Sequence, residues 1–118
     1  MLIFREPLDE FAKRTDPARA PAYWGAWRAY VGALHGSGKV VNGDGLEPPD
    51  TATLVRIREG RRQVQDGPFP DTHEQLGGYF VIDADSLDEA LEWAARAPCA
   101  DSGSVEVRPV MMPPGKQA

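Results

Sequence analysis

Apolar residues recur at helical spacing in two segments of the chain. Tyr23, Trp27, Tyr30 and Leu34 follow one another at steps of four, three and four, and Trp24 and Val31 widen the stripe. That spacing predicts an amphipathic helix over Ala22–His35, stopped by Gly36-Ser37-Gly38. Leu87, Ala90, Leu91 and Ala94 repeat the period in a second helix, with Ser86 as N-cap, Glu89 completing a capping box and Pro98 ending it.

Elsewhere the pattern is that of strands. Met1–Phe4 is a short apolar run, and Lys39–Val41 reads as a strand before a tight turn in Asn42–Gly45 and a break at Pro48-Pro49. Thr53, Val55 and Ile57 alternate with Leu54, Arg56 and Arg58. A turn at Gly60 and a return strand carrying Val64 complete a hairpin, on which Asp66 shares the face of Arg62 and Val64. Gly77–Asp83 is a continuous apolar run, consistent with a buried central strand; Val105 and Val107 alternate with Glu106 and Arg108 in an edge strand, since Pro109 cannot donate to a ladder.

The resulting order, β, α, β, ββ, β, α, β, belongs to the α+β class, with helices on one face of a largely antiparallel sheet. The face left bare needs a cover, and a second copy of the chain supplies it, so a homodimer is expected. Between the first strand and the first helix, Arg5–Pro21 reads as a lid-like connection with one helical turn, Asp16-Pro17 providing a cap and a first helical position. Gly25 and Gly32 each cost about 1 kcal/mol relative to Ala in a helix, which points either to close approach by a neighbour or to simple tolerance.

A length of 118 residues bounds the chain to one domain, expected over residues 1–112 with a flexible tail at 113–118. Thirteen Lys/Arg against eighteen Asp/Glu give a net charge of −5, which opposes direct nucleic-acid binding. The densest basic run, Arg56, Arg58, Arg61 and Arg62, is interrupted by Glu59 and reads as a solvated face. Cys99 has no partner for an internal disulfide and stands at a helix end without a neighbouring base, as a structural small residue does. No apolar run approaches the roughly 18 residues of a membrane helix, and the opening Met1–Phe4 is shorter than a signal-peptide core. A cytoplasmic protein without membrane association is expected.

Candidate chemistry concentrates between Gln65 and Phe80. Gly67 and Phe69 each precede a proline and are biased toward extended backbone, so the segment is stiff before any packing acts on it. A stiff segment can hold Asp66 as an acid or base; equally, the Asp66 carboxylate can bond N–H groups of its own turn. Trp27, Asp66, Phe69 and Tyr79 are the expected ligand-binding set, with Asp66 the catalytic candidate. His73 and His35 lack the spacing of metal ligands, Gly36–Lys39 lacks the phosphate-loop pattern, and no serine stands in a nucleophile elbow. No cofactor or metal is expected.

The stretches AYWGAWRAYVGALHGSG, VNGDGLEPPDTATLVRIREG, VQDGPFPDTHEQLGGYFVID, LDEALEWAARAP and GSVEVRPV resemble, in this order, the DGPF-domain proteins of the YCII-related family. The resemblance spans about Ala22 to Val110 and implies a ferredoxin-like, dimeric α+β barrel from a bacterium. Related proteins are suggested to use a His–Asp pair for acid/base work. The His position falls at about Trp27 here, so the pair is not carried over. Genes similar to this family often accompany those of extracytoplasmic-function sigma factors. Two functions follow: a dimer binding a small metabolite near Asp66, with acid/base chemistry, or a regulatory module that partners such a sigma factor.

Overall fold

The computed structural model describes residues 1–70 and 72–111. Strand β1 (Leu2–Pro7) places Leu2, Phe4 and Glu6 on a buried face and Ile3, Arg5 and Pro7 on a half-buried one. It lies inside a four-stranded sheet with β2 (Val40–Gly45), β5 (Glu74–Ile82) and β6 (Ser104–Val107), in the order β2-β5-β1-β6. All three pairings are antiparallel; Leu2 stands opposite Phe80 and Val107, and Phe4 opposite Gly78 and Val105. A bulge between Phe4 and Arg5 shifts the β1–β5 register.

Among the described residues four α-helices, α1 (Leu8–Ala12), α2 (Ala20–Gly36), α3 (Leu87–Arg96) and α4 (Cys99–Ser102), accompany the sheet. Tyr30 and Leu34 of α2, Ala94 of α3 and Cys99 of α4 close over Leu2, Phe4 and Phe80 to form the core. Burying a side chain such as Leu34 or Phe4 contributes about 1.5–3 kcal/mol. The opposite sheet face carries Ile3 and Tyr79, which pair across β1 and β5, and the Arg5–Glu106 ion pair at 2.8 Å. The protein is therefore an α+β chain with antiparallel sheets, and its four-stranded sheet closes no barrel by itself.

Strands β3 (Thr53–Arg58) and β4 (Arg61–Asp66) form a separate two-stranded hairpin, inserted between β2 and β5. Its two-residue turn holds Glu59 at φ 53° and Gly60 at φ 74°. Two left-handed residues give the twist that matches paired strands, so Gly60 is a conformational requirement there. Asp66 pairs with Thr53, so the strand does continue through it.

Several local expectations change. Asn42–Gly45 is not a turn but the body of β2, because pairing with β5 outweighs the turn propensity of its residues. β5 begins at Glu74, three residues before Gly77, so the connection from β4 is shorter than the segment Gln65–Phe80 suggests. The Ser86 side chain accepts from the Glu89 N–H at 3.1 Å, but the Glu89 carboxylate meets Lys39 at 2.9 Å instead of closing the capping box. A Cβ on Gly25 or Gly32 would meet nothing within 4 Å, which favours tolerance within the chain. The expected flexible tail at 113–118 lies outside the described residues.

Candidate functional site

Between α2 and the β2–β5 edge of the sheet lies a cavity of about 630 Å³. Its floor is largely backbone: Gly43, Gly45, Gly77 and Gly78 put no side chain over it. Gly43 must be a glycine, since a Cβ there would stand 2.3 Å from the Phe80 ring that lies across it. At Gly45 a Cβ would meet nothing within 4 Å. Tyr23, Trp24, Trp27, Val31 and His35 of α2 form the wall, and Arg14 with Leu46–Pro48 closes one end. The size falls within the range of ordinary small-molecule sites.

Glu6 borders this space. It follows Leu2 and Phe4 on the buried face of β1, so strand periodicity drives a carboxylate into the interior, where it is 2% exposed. The Tyr23 hydroxyl donates toward both of its oxygens, at 2.8 Å to Oε1 and 3.1 Å to Oε2. Arg14 supplies the counter-charge, with its Nη2 at 3.8 Å from Glu6 Oε1. Its Nε donates to the Tyr23 oxygen at 3.0 Å and its Nη1 to the Leu46 carbonyl at 2.6 Å. The guanidinium also lies 4.8 Å from the Phe11 ring centre and 5.3 Å from that of Trp24, within the reach of cation–π attraction.

Burial holds the Glu6 carboxyl above its ordinary value of 4.5, against the Tyr23 hydrogen bond and the Arg14 charge that pull it down. The Tyr23 phenol is pushed up to about 12 by burial, so it stays a neutral donor. A smaller cavity of about 260 Å³ shares Glu6, Tyr23 and Trp27, so this pair stands in the partition between two spaces.

A folded-state pKa above 4.5 means that the native protein holds the Glu6 proton more tightly than the unfolded chain does. Ionisation then works against folding, fully so above the folded pKa and not at all below the unfolded one. Wild type is expected to lose stability relative to Glu6→Gln as pH rises from 4 to 8, measured by urea denaturation of both proteins. A difference moving the other way would mean that the Arg14 charge outweighs desolvation.

Of the residues expected from sequence to bind a ligand, Trp27 lines the large cavity; Tyr79 borders it along β5, but its side chain stands with that of Asp44 on the helix-free face, the hydroxyl 3.3 Å from Asp44 Oδ2. Asp66 and Phe69 stand outside its lining. Asp66 is exposed at the end of β4; the Phe69 carbonyl accepts from the buried Gln75 amide at 3.0 Å. The Gly67 N–H donates to the Ala52 carbonyl at 2.8 Å, and a Cβ on Gly67 would stand 2.0 Å from the Pro49 carbonyl oxygen. The Asp66–Phe69 motif thus anchors the hairpin base on the turn at Pro49–Thr51. Cys99 is buried, its thiol pushed up to about 12 chiefly by that burial, which suits a packing role. Among the described residues no three His, Cys, Asp or Glu are placed to hold a metal ion.

Glu6, Arg14 and the polar role of Tyr23 are absent from the sequence expectation. The signal for Glu6 is its phase: it continues the alternation of Leu2 and Phe4 into a charged residue. Nothing local marks Arg14, whose carbonyl partner Leu46 is distant in the chain.

The fold and cavity together define a small α+β protein with an aromatic-walled space beside a buried carboxylate. The chain belongs to the YCII-related domain family, whose model matches residues 10–113. It is 45% identical over 69 residues to uncharacterized protein R00369 of Rhizobium meliloti (strain 1021), an alignment covering 57% of this chain and 56% of that protein. It is 43% identical over 54 residues to uncharacterized protein YjpA of Bacillus subtilis (strain 168), covering 46% of this chain and 60% of that one. The matched stretch thus spans little more than half of either relative. Among the described residues no helix is long and apolar enough to cross a membrane.

Proposed function

We propose that this protein binds a small organic metabolite in the cavity between α2 and the β2–β5 edge, and that Glu6, held by the Tyr23 hydroxyl, exchanges a proton with it. The observation that carries the reading is a carboxylate 2% exposed yet bordering a space of about 630 Å³. Buried carboxyls with raised pKa beside a cavity are suited to proton transfer near neutral pH. Arg14 orients the phenol through its Nε, and the phenol in turn directs its O–H to Glu6. Under this reading Asp66 and Phe69 fix the hairpin base and Trp27 contacts the ligand, while the Tyr79 side chain stands on the other face of the sheet.

The same reading takes the subunit as ferredoxin-like, since β1, α2, β2, β5, α3 and β6 follow the split βαβ order with the β3–β4 hairpin as an insertion. Two copies joined across the helix-free sheet faces make a homodimeric α+β barrel. A buried, unpaired Cys99 fits a reducing cytoplasmic setting.

The test is a thermal-shift screen of a metabolite library on wild type and Gly45→Leu. The added side chain enters open space on the cavity floor, so the variant is expected to fold and to exclude ligands. A ligand at 100-fold excess over its Kd stabilises the native state by about 2.7 kcal/mol. Shifts in wild type that vanish in Gly45→Leu support the reading; shifts retained in that variant place the ligand elsewhere and sink it.

A second reading, a regulatory partner such as an extracytoplasmic-function sigma factor, draws support from the hairpin. Val55, Ile57 and Val64 are 56%, 59% and 57% exposed on one face of it. Apolar residues grouped in this way often mark protein contacts.

A further inference from the structure

We propose that the β3–β4 hairpin is an arm that docks on a second copy of this chain, over the start of its acidic helix α3. This rests on the reading of the protein as a homodimer and adds the elements that meet. Within its own chain the arm is bare: every residue of β3 and β4 except Leu54 and Gln65 is exposed. A two-stranded hairpin without a cover is only marginally stable in water. Strand register gathers Val55, Ile57 and Val64 on one face, with Val55 directly opposite Val64. That face is an apolar surface awaiting a partner.

Charge identifies the partner. Arg56, Arg58, Arg61 and Arg62 stand against Glu59 and Asp66, so the arm is positive in a chain of net charge −5. Arg58 and Arg61 sit directly opposite each other beside the turn, and like charges so placed weaken a strand pair unless a counter-charge reaches them. Among the described residues none of the four arginines makes an ion pair. The chain's own complement is the segment from Asp83 to Glu92, which holds five acidic residues and no basic one. Lys39 engages Asp85 and Glu89, while Asp83, Asp88 and Glu92 stay exposed. Beside them Leu87 and Leu91, one helical turn apart, are 64% and 46% exposed. An apolar strip edged by carboxylates thus matches an apolar strip edged by guanidinium groups.

The two strips lie at opposite ends of the sheet in any one chain. The Asp83 N–H donates to the Lys39 carbonyl at 2.8 Å, which sets the start of α3 beside the Val40 end of β2. The hairpin departs beyond the Gly45 end, about 17 Å along that strand. A two-fold axis across the strands reverses one copy on the other and brings each arm to the partner's α3, so both contacts form at once.

The experiment measures dimer dissociation by sedimentation velocity for wild type, Ile57→Ser, Arg61→Glu/Arg62→Glu, Asp88→Arg/Glu92→Arg, and an equimolar mixture of the two charge-reversed proteins. Circular dichroism checks that each is folded. Wild type is expected to be a dimer, and each variant alone to raise its Kd about tenfold or more. The mixture is expected to regain a dimer close to wild-type strength, because a mixed pair holds one native contact and one fully reversed contact, each between opposite charges. A wild-type dimer that no variant weakens overturns the arm and leaves the dimer across the sheet faces standing. Weakening by the charge reversals without recovery in the mixture removes α3 as the docking surface and overturns the proposal. A wild-type chain that stays monomeric at every concentration overturns the homodimer and this proposal together, and turns the search for the arm's occupant to a foreign acidic protein.

Discussion

Arg14→Ala is expected to cost about 3–5 kcal/mol of folding stability, the usual penalty for stranding one member of a buried ion pair. The side chain is 11% exposed and its partner Glu6 2%. Removing it takes away the counter-charge, the hydrogen bonds to Tyr23 and Leu46, and the cation against Phe11 and Trp24. Glu6 relieves part of the loss by holding its proton more tightly, so the penalty should be larger at pH 8 than at pH 5. The double variant Arg14→Met/Glu6→Gln is expected to recover much of it, because two neutral groups need no counter-charge. Chemical denaturation of wild type, Arg14→Ala and the double variant decides the matter. If the double variant is no more stable than Arg14→Ala, the cost comes from packing and from the Leu46 carbonyl, not from charge.

Phe4→Ala should be comparably severe, at about 3–5 kcal/mol. Phe4 is 3% exposed and stands at the meeting point of four rings. It makes edge-to-face contacts with Trp27, Tyr30 and Phe80 at centroid separations of 5.2, 6.0 and 6.2 Å. Each such pair contributes about 0.5–1.5 kcal/mol beyond simple burial. Against a typical total of about 5–15 kcal/mol, the variant is left near the folding threshold. Phe4→Leu, which leaves a smaller gap, serves as the control. A Phe4→Ala loss below about 1.5 kcal/mol would mean that α2 settles into the space, and the cavity beside it should then shrink.

The features legible in the sequence are those set by local periodicity. The steps from Tyr23 to Leu34 announce α2, the alternation from Thr53 to Arg58 announces β3, and Ser86 marks the start of α3. What stayed hidden depends on residues far apart in the chain. Asn42–Gly45 has the composition of a turn and becomes a strand because β5 is there to pair with it. Of the cavity lining, Trp27 was readable as an aromatic residue on a helix, whereas Tyr79, readable on a central strand, turns its ring to the other face of the sheet. Asp66 attracted attention through its prolines, yet the stiffness it shares with Phe69 secures a hairpin base. Glu6 was masked by standing in a short strand, although its alternation with Phe4 was visible. Arg14 reaches Glu6 and Leu46 only after the connection before α2 has folded back over the sheet, and no short-range pattern encodes that return.

The glycine floor of the cavity makes its evolution one-sided. At Gly43, Gly45, Gly77 and Gly78 the boundary is main chain, already the thinnest wall a polypeptide can build. Any substitution there subtracts room, and none can add it. The volume of this space among variants of the chain therefore has a ceiling on its glycine side set by the backbone, and room can be gained by trimming side chains such as Trp24, Trp27 or Val31 on the helix.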